Sequence, residues 1–391
     1  MHGGIKARET SVAALGRQLR CFCQFVVIKP MRNWKMLKSR SLLTAVAAAC
    51  LLATSSMSPA LAEKKTEFNI SWTIYVGWMP WPYAVETGIV KKWADKYGIK
   101  INVTQINDYI ESINQYTAGK FDGVGVTNMD ALTIPAAGGV DTTVVIMGDY
   151  SDGNDGIVLK KGKTLADIKG QKVNLVELSV SHYLLARALS TVKLSEKDVK
   201  IVNTSDADIV AASKSKDATA IVAWNPQLTE VKSEPGTTQV YDSTKIPGEI
   251  EDLFVIKTEI LKDNPDFAKA LVGIWYETIS LMKEPGEKGK AAREAMAKLS
   301  GTDLAGFEGQ LKTTHMYYDP KDAAAFVSGP DLVKSIDLVR AFCFEHNLFG
   351  EKVTSKDAVG IETPTKTLGS TKNVKLRFDP TYMQLAADGK L

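Results

Sequence analysis

The residues with chemistry to offer sit on loops that follow apolar, strand-like runs. Trp78, Met79, Trp81 and Tyr83 crowd the turn after the alternating stretch 69–76. Asp130 follows the short run 121–126, and Asp149 and Tyr150 follow 142–147. Glu177, Ser179, Ser181 and His182 come after 171–175, and Trp224 ends 219–223. Four acids stand in these loops (Asp130, Asp149, Asp155 and Glu177), with no Lys or Arg among them. Anion recognition draws on Arg forks or free helix N-termini. Acids beside aromatic rings suit a cation or a solute rich in N–H donors, a ring face contributing roughly 0.5–2 kcal/mol. A Trp on each side of a cleft, Trp78 and Trp224, is the sharpest hint in the pattern.

Each residue also has a plainer reading. The aromatic loop could plug its own lobe, Asp130 could be a helix-start acid, and Asp149 could serve a hinge. His182 could be a hydrogen-bonded structural residue, while Asp108 and Tyr109 read as capping and surface residues. Catalytic patterns are missing: the sequence has no G-x-S-x-G, H-E-x-x-H, Walker or C-x-x-C motif. Cys343 and His346 share a late helical run that reads as packed helix rather than a nucleophile pair. His2, His182, His315 and His346 have no metal-ligand spacing. The expectation is a binder with no catalytic residue, no metal and no cofactor.

Strand and helix patterns alternate along the chain. The run 69–76 leads through the aromatic loop into a helix over 84–97, which Gly98 stops before a strand at 99–103. That order implies a parallel crossover. A second set of α/β units follows the turn-rich SDGNDG at 151–156, and Pro247-Gly248 marks the return. Beyond Pro265 the pattern is helical almost to Asn347, and the polar last 40 residues offer one strand, 374–378. The predicted organisation is one lobe from 63–153 and 250–391, with a second from 154–249. Crossings near 151–156 and 245–252 would form the hinge. Ligands of open parallel sheets sit at the strands' carboxyl ends, so two such lobes would close on a small solute.

The whole-chain charge of +3 is misleading, because nine Lys/Arg and a single acid lie in residues 1–62. The remainder has 39 basic and 44 acidic residues, a net of −5, which gives no footing for nucleic acid. Residues 31–62 read as a secretory leader: Arg32, Lys35, Lys38 and Arg40, then an apolar stretch, then Ala60-Leu61-Ala62 for cleavage after Ala62. Ala47 stands where a lipidated Cys50 would favour a larger aliphatic residue, and residues 1–30 read as an over-long start. Cleavage would leave Cys343 alone, flanked by Phe342 and Phe344 as a buried thiol, with no internal disulfide.

Four segments carry a resemblance: Gly77–Ala84 (GWMPWPYA), Gly119–Leu132 (GKFDGVGVTNMDAL), Ile168–Val173 (IKGQKV) and Ser181–Leu189 (SHYLLARAL). Over roughly residues 68–280 the chain resembles the periplasmic solute-binding proteins of nitrate/sulfonate/taurine-type ABC importers. It most resembles the subgroup found beside urea-carboxylase and guanidine-carboxylase enzymes, labelled urea binders. The resemblance implies an α/β, two-lobed type II periplasmic-binding-protein fold with an interlobe hinge, a monomer that delivers solute to an inner-membrane permease and its ATPase. It places Trp78, Asp130, the Glu177–His182 loop and Trp224 in the pocket. Glu177 departs from oxyanion-binding relatives, so guanidinium is the expected solute. Urea or another amide or amidine, or a nitrate, sulfonate or taurine anion, is the alternative. Pyrimidine-precursor synthases share the resemblance and supply an enzymatic reading, which the leader disfavours; a structural or adhesive exported protein would lack the cleft.

Overall fold

A computed structural model describes residues 64–350 and 352–391. The expected leader, its cleavage site, and Cys21, Cys23 and Cys50 lie outside these residues.

The leading strand β1 (Glu67–Trp72) alternates as its sequence requires, burying Phe68, Ile70 and Trp72. Phe68 stacks on Phe267 at 4.1 Å. The strand stops four residues earlier than its pattern predicts. The chain leaves the sheet at Thr73 and turns through Val76–Trp78, where the Trp78 N–H donates to the Tyr75 carbonyl. Pro80 then opens a helix at a position where its missing N–H costs nothing. The single helix expected over 84–97 is two, Pro80–Glu86 and Ile89–Lys96, because Gly88 takes a left-handed φ of 76° between them.

β1 pairs in parallel with β2 (Lys100–Gln105) and β3 (Gly123–Thr127). Next in sequence, β4 (Thr142–Ser151) runs further than the apolar pattern indicated and carries Asp149 within it. The chain then crosses to a second sheet of five strands: β5 (Asp155–Leu159), β6 (Lys172–Leu175), β7 (Lys200–Asn203), β8 (Ala220–Trp224) and β9 (Thr238–Asp242), in the order β7-β6-β8-β5-β9. It returns as β10 (Glu251–Lys257), antiparallel between β3 and β4. The two crossings are tied together: the Ser151 and Ser243 hydroxyls are 2.7 Å apart, and Gly153 N–H donates to Ser243 at 2.7 Å.

The remaining strands are short. β11 (Thr314–Met316), which the helical reading of that region missed, pairs with β4. β12 (Gly360–Glu362), β13 (Thr367–Leu368) and β14 (Val374–Phe378) complete a nine-stranded sheet in the order β13-β12-β14-β4-β10-β3-β1-β2, with β11 beside β4. The strand expected at 374–378 is therefore β14. Arg377 fixes it with a fork to Asp141 at 2.9 and 3.0 Å and a bond to Glu362 at 2.7 Å. Cys343 is fully buried within the Pro330–Glu345 helix.

Candidate functional site

The carboxyl ends of β1, β3 and β8 and the amino ends of β5 and β10 converge on one cavity. From the nine-stranded half come Thr73, Ile74, Tyr75, Trp78, Tyr109, Thr127 and Asp252; from the five-stranded half come Asp155, Val180 and Trp224; Ile250 belongs to the returning crossing. About 20 Å³ is open to the centre of a water-sized sphere. One water needs roughly 10–15 Å³ on that measure, so the space suits a solute of a few heavy atoms.

Four rings form a continuous wall. Tyr75 meets Trp78 edge-on at 5.2 Å, Trp78 meets Tyr109 at 6.0 Å, and Tyr109 meets Trp224 edge-on at 5.6 Å. Glycines make room for this wall. A Cβ on Gly77 would lie 2.5 Å from Asp149 Oδ2 and from the Tyr75 ring, and one on Gly125 would press the Trp78 indole at 3.4 Å. Glycine at 77 is thus required by close approach, the local reason for the G in GWMPWPY.

Behind and between the rings stand buried carboxylates. Asp149 and Asp252 are register partners on β4 and β10, and the Tyr75 hydroxyl donates to Asp149 at 2.6 Å. Asp155 accepts the Ser151 hydroxyl at 2.6 Å. Asp130 accepts the hydroxyls of Tyr109 and Thr127, each at 2.8 Å. One oxygen each of Asp130, Asp149 and Asp155 is buried without a hydrogen-bond partner. Burial raises Asp149 to about 7, Asp155 to about 7 and Asp130 to about 6. Burial, then the charges of Asp149 and Asp155, pushes Asp252 well above the usual carboxylate range. Among the described residues no Lys, Arg or His lines the cavity. Chemically, the site is an acidic, ring-walled chamber without a counter-charge.

The expected site residues divide. Trp78 and Trp224 line the cavity from opposite halves. Asp130 and Asp149 lie one side chain behind it, reached through Tyr109 and Tyr75. Ser179 is buried as the N-cap of the Val180–Thr191 helix, accepting the Ser181 N–H at 3.2 Å and donating to Val176. The structure corrects Glu177: it is exposed and is not among the residues lining the cavity, and the next residue, Leu178, takes a left-handed φ of 64°. His182 also belongs elsewhere, buried against Glu196. Trp81 packs into the core against Phe254 at 4.7 Å and Trp275 at 5.5 Å, the plug reading for that ring.

Sequence reasoning passed over Tyr109 and Asp252. Tyr109 is buried and walls the cavity rather than lying at the surface, whereas Asp108 caps its helix by accepting the Glu111 N–H. Asp252 hid in a strand pattern. Its signal was available in Glu251-Asp252, two acids opening an apolar run directly after the Pro247-Gly248 return.

Residues 87–286, just over half of the chain, match the family described as NMT1/THI5 like. A binding protein of Brucella abortus (strain 2308) is 24% identical over 222 residues, covering 56% of this chain and 67% of that one. The taurine-binding periplasmic protein of Escherichia coli (strain K12) is 23% identical over 219 residues, covering 53% and 66%. In structure, the alkanesulfonate-binding protein from Xanthomonas axonopodis pv. citri, bound to MOPS, superposes with a TM-score of 0.62 at 16% identity, over 75% of this chain and 97% of that one. The architecture is the two-lobed type II periplasmic-binding-protein fold expected from the sequence.

Proposed function

The chain belongs to the NMT1/THI5 like family, and from that membership we propose that it is the exported solute receptor of an ABC importer, closing on a small planar cation of the guanidinium type. The receptor reading follows relatives that are binding proteins rather than enzymes. An inner-membrane permease as partner, and export by a leader cleaved after Ala62, belong to the same proposal.

One observation carries the choice of solute: Asp155 and Asp252 enter the cavity, Asp149 and Asp130 stand behind them, and among the described residues no basic side chain lines it. A buried carboxylate without a partner is costly unless it takes up a proton or meets a cation. Burial favours the protonated form of these acids, Asp252 most of all, and a guanidinium ion would displace a proton from the cluster. A planar fork of N–H donors matches paired carboxylates, and its faces match Trp78 and Trp224. Neutral urea fits the same chamber with the acids protonated.

A second reading, a small oxyanion, is favoured by the name of the taurine-binding relative. Here its footing would be the N-terminus of the Val180–Thr191 helix, whose Val180 lines the cavity. With Asp155 and Asp252 lining the cavity and two more acids behind them, an anion is the poorer electrostatic match. Isothermal titration of the mature protein with guanidinium, urea, nitrate and taurine decides between them. We expect guanidinium to bind most tightly; tight binding of nitrate or taurine with none of guanidinium overturns the cationic reading.

A further inference from the structure

The Val180–Thr191 helix lines the cavity at its first residue and, two residues on, buries His182 near the other half of the molecule. There Glu196 stands between two histidines. Nε2 of His182 lies 2.5 Å from Glu196 Oε1, and Nε2 of His346 lies 2.6 Å from Glu196 Oε2. His182 and Glu196 belong to the five-stranded half. His346 ends the Pro330–Glu345 helix, which packs on the Asn128–Ala131 helix of the nine-stranded half.

Hydrogen bonding fixes the protons. Nδ1 of His182 accepts the Leu178 N–H at 3.1 Å, so Nε2 carries that ring's proton and donates to Glu196. Nδ1 of His346 lies 2.9 Å from the Phe342 carbonyl, which can only accept. That nitrogen is therefore protonated, and so is Nε2, which faces a carboxylate. His346 is an imidazolium, and its contact with Glu196 is an ion pair between the two halves.

We propose that Glu196 is a positioning residue for solute capture, its carboxylate clasping His346 across the interlobe boundary and favouring the closed arrangement. This rests on the receptor reading above but not on which solute is bound. The ring of Phe342 shields the clasp, stacking on His346 at 3.9 Å and meeting Tyr183 edge-on at 4.9 Å. Burial alone would push Glu196 up, but hydrogen bonds from both histidines hold it down at about 2. Burial alone would lower His346, but Glu196, the Phe342 carbonyl and the nearby Glu345 outweigh it and raise the imidazole above its ordinary value. The groups facing His346 are Glu196 and His182 from the five-stranded half, and Phe342 and Glu345 from its own helix. The clasp therefore holds from acid through neutral pH and is lost as pH rises through the elevated His346 value.

The test places one introduced cysteine on each half of the mature protein for spin labels; buried Cys343 stays unlabelled. Interlobe distances are recorded at pH 6.5 and 9.5, without ligand and with millimolar guanidinium chloride. The wild type is expected to lose closed population at the higher pH. Glu196→Gln is expected to shift the closed-to-open ratio about tenfold toward open at pH 6.5, a partly exposed pair being worth less than a buried one. His346→Gln keeps the His182–Glu196 bond within one half and is expected to open to the same extent, which covers misfolding of the first variant. His346→Arg, a permanent cation, is expected to stay closed at both pH values. Wild-type distances and pH response in His346→Gln overturn the proposal. The ligand-free records answer it even where guanidinium fails to bind, so the two readings fail separately.

Discussion

Two clusters of buried charge lie between the halves of this molecule, and they are built on opposite plans. Around Glu196 every charge is answered: two imidazoles meet one carboxylate, and each ring nitrogen has a partner. Around Asp252 no charge is answered: Asp149, Asp155 and Asp130 accept only hydroxyls and each keep an oxygen without a hydrogen bond, and among the described residues no basic side chain enters. Both clusters are withdrawn from bulk water, the chamber acids almost completely and the Glu196–His346 pair in part. A chain can satisfy a carboxylate in this environment, and at Glu196 it does. The acidic chamber is left incomplete where only a visiting molecule can complete it, the difference expected between a structural pair and a receptor site.

If that contrast holds, neutralising the chamber has the largest effect. Asp252→Asn and Asp155→Asn are each expected to weaken guanidinium binding at least about a hundredfold, since truncating one member of a buried charge pair costs several kcal/mol. The same changes should raise the melting temperature of the empty protein at pH 8, because an unpaired buried acid is removed. Calorimetry and thermal unfolding of the same samples check both halves of the statement. Weaker binding without a gain in stability breaks the contrast, because the acids would then have been satisfied without ligand.

Next in size is the response to pH, which the two clusters give with opposite sign. Asp149 and Asp155, raised to about 7, bind protons in the folded protein that the unfolded chain releases near pH 4. Their stabilising protonation is complete below that value and is lost as pH rises through about 7, so the empty receptor loses stability between about pH 4 and 7. Cation affinity runs the other way, rising by up to about tenfold per pH unit for each proton displaced. Titrations from pH 5.5 to 7.5 in buffers of different ionisation enthalpy measure the released proton directly. Affinity that is flat with pH would place the binding charge elsewhere.

A smaller change is expected at the rings. Trp224 closes the wall against Tyr109 from the five-stranded half, and Trp224→Ala should weaken guanidinium binding about tenfold, within the range of a cation–π contact. Trp81→Ala, by contrast, should lower stability through lost core contacts, because that ring packs against Trp275 and Phe254.

These residues also show what the sequence could convey. The alternation through Phe68, Ile70 and Trp72 announced β1, and the aromatic loop announced a lining, because period and residue type are local properties. The Trp78–Trp224 pairing was legible from loops placed at strand ends. Tyr109 was not, because its position beside a capping aspartate hides a burial that depends on the second lobe closing over it. Asp252 was legible only as one of two acids opening an apolar run, because which face such an acid takes depends on register with β4. The tail could give no more than β14, since β12 and β13 are three and two residues long and form only against neighbours.

Glu177 gives the smallest effect and the cleanest contrast. In the sequence it looked equivalent to the other acids: it follows a strand and precedes a helix, and it was the residue that argued against an oxyanion. Its side chain is instead in solvent, and only its backbone is engaged, donating to Asn203 at 3.0 Å. A charge in water outside the chamber lining is screened. Glu177→Gln is therefore expected to leave guanidinium affinity within about twofold, while Glu196→Gln, on the same lobe and equally conservative, opens the receptor. A Glu177→Gln loss approaching that of Asp252→Asn would mean that the loop folds inward on binding, and the left-handed turn at Leu178 would then have to be undone.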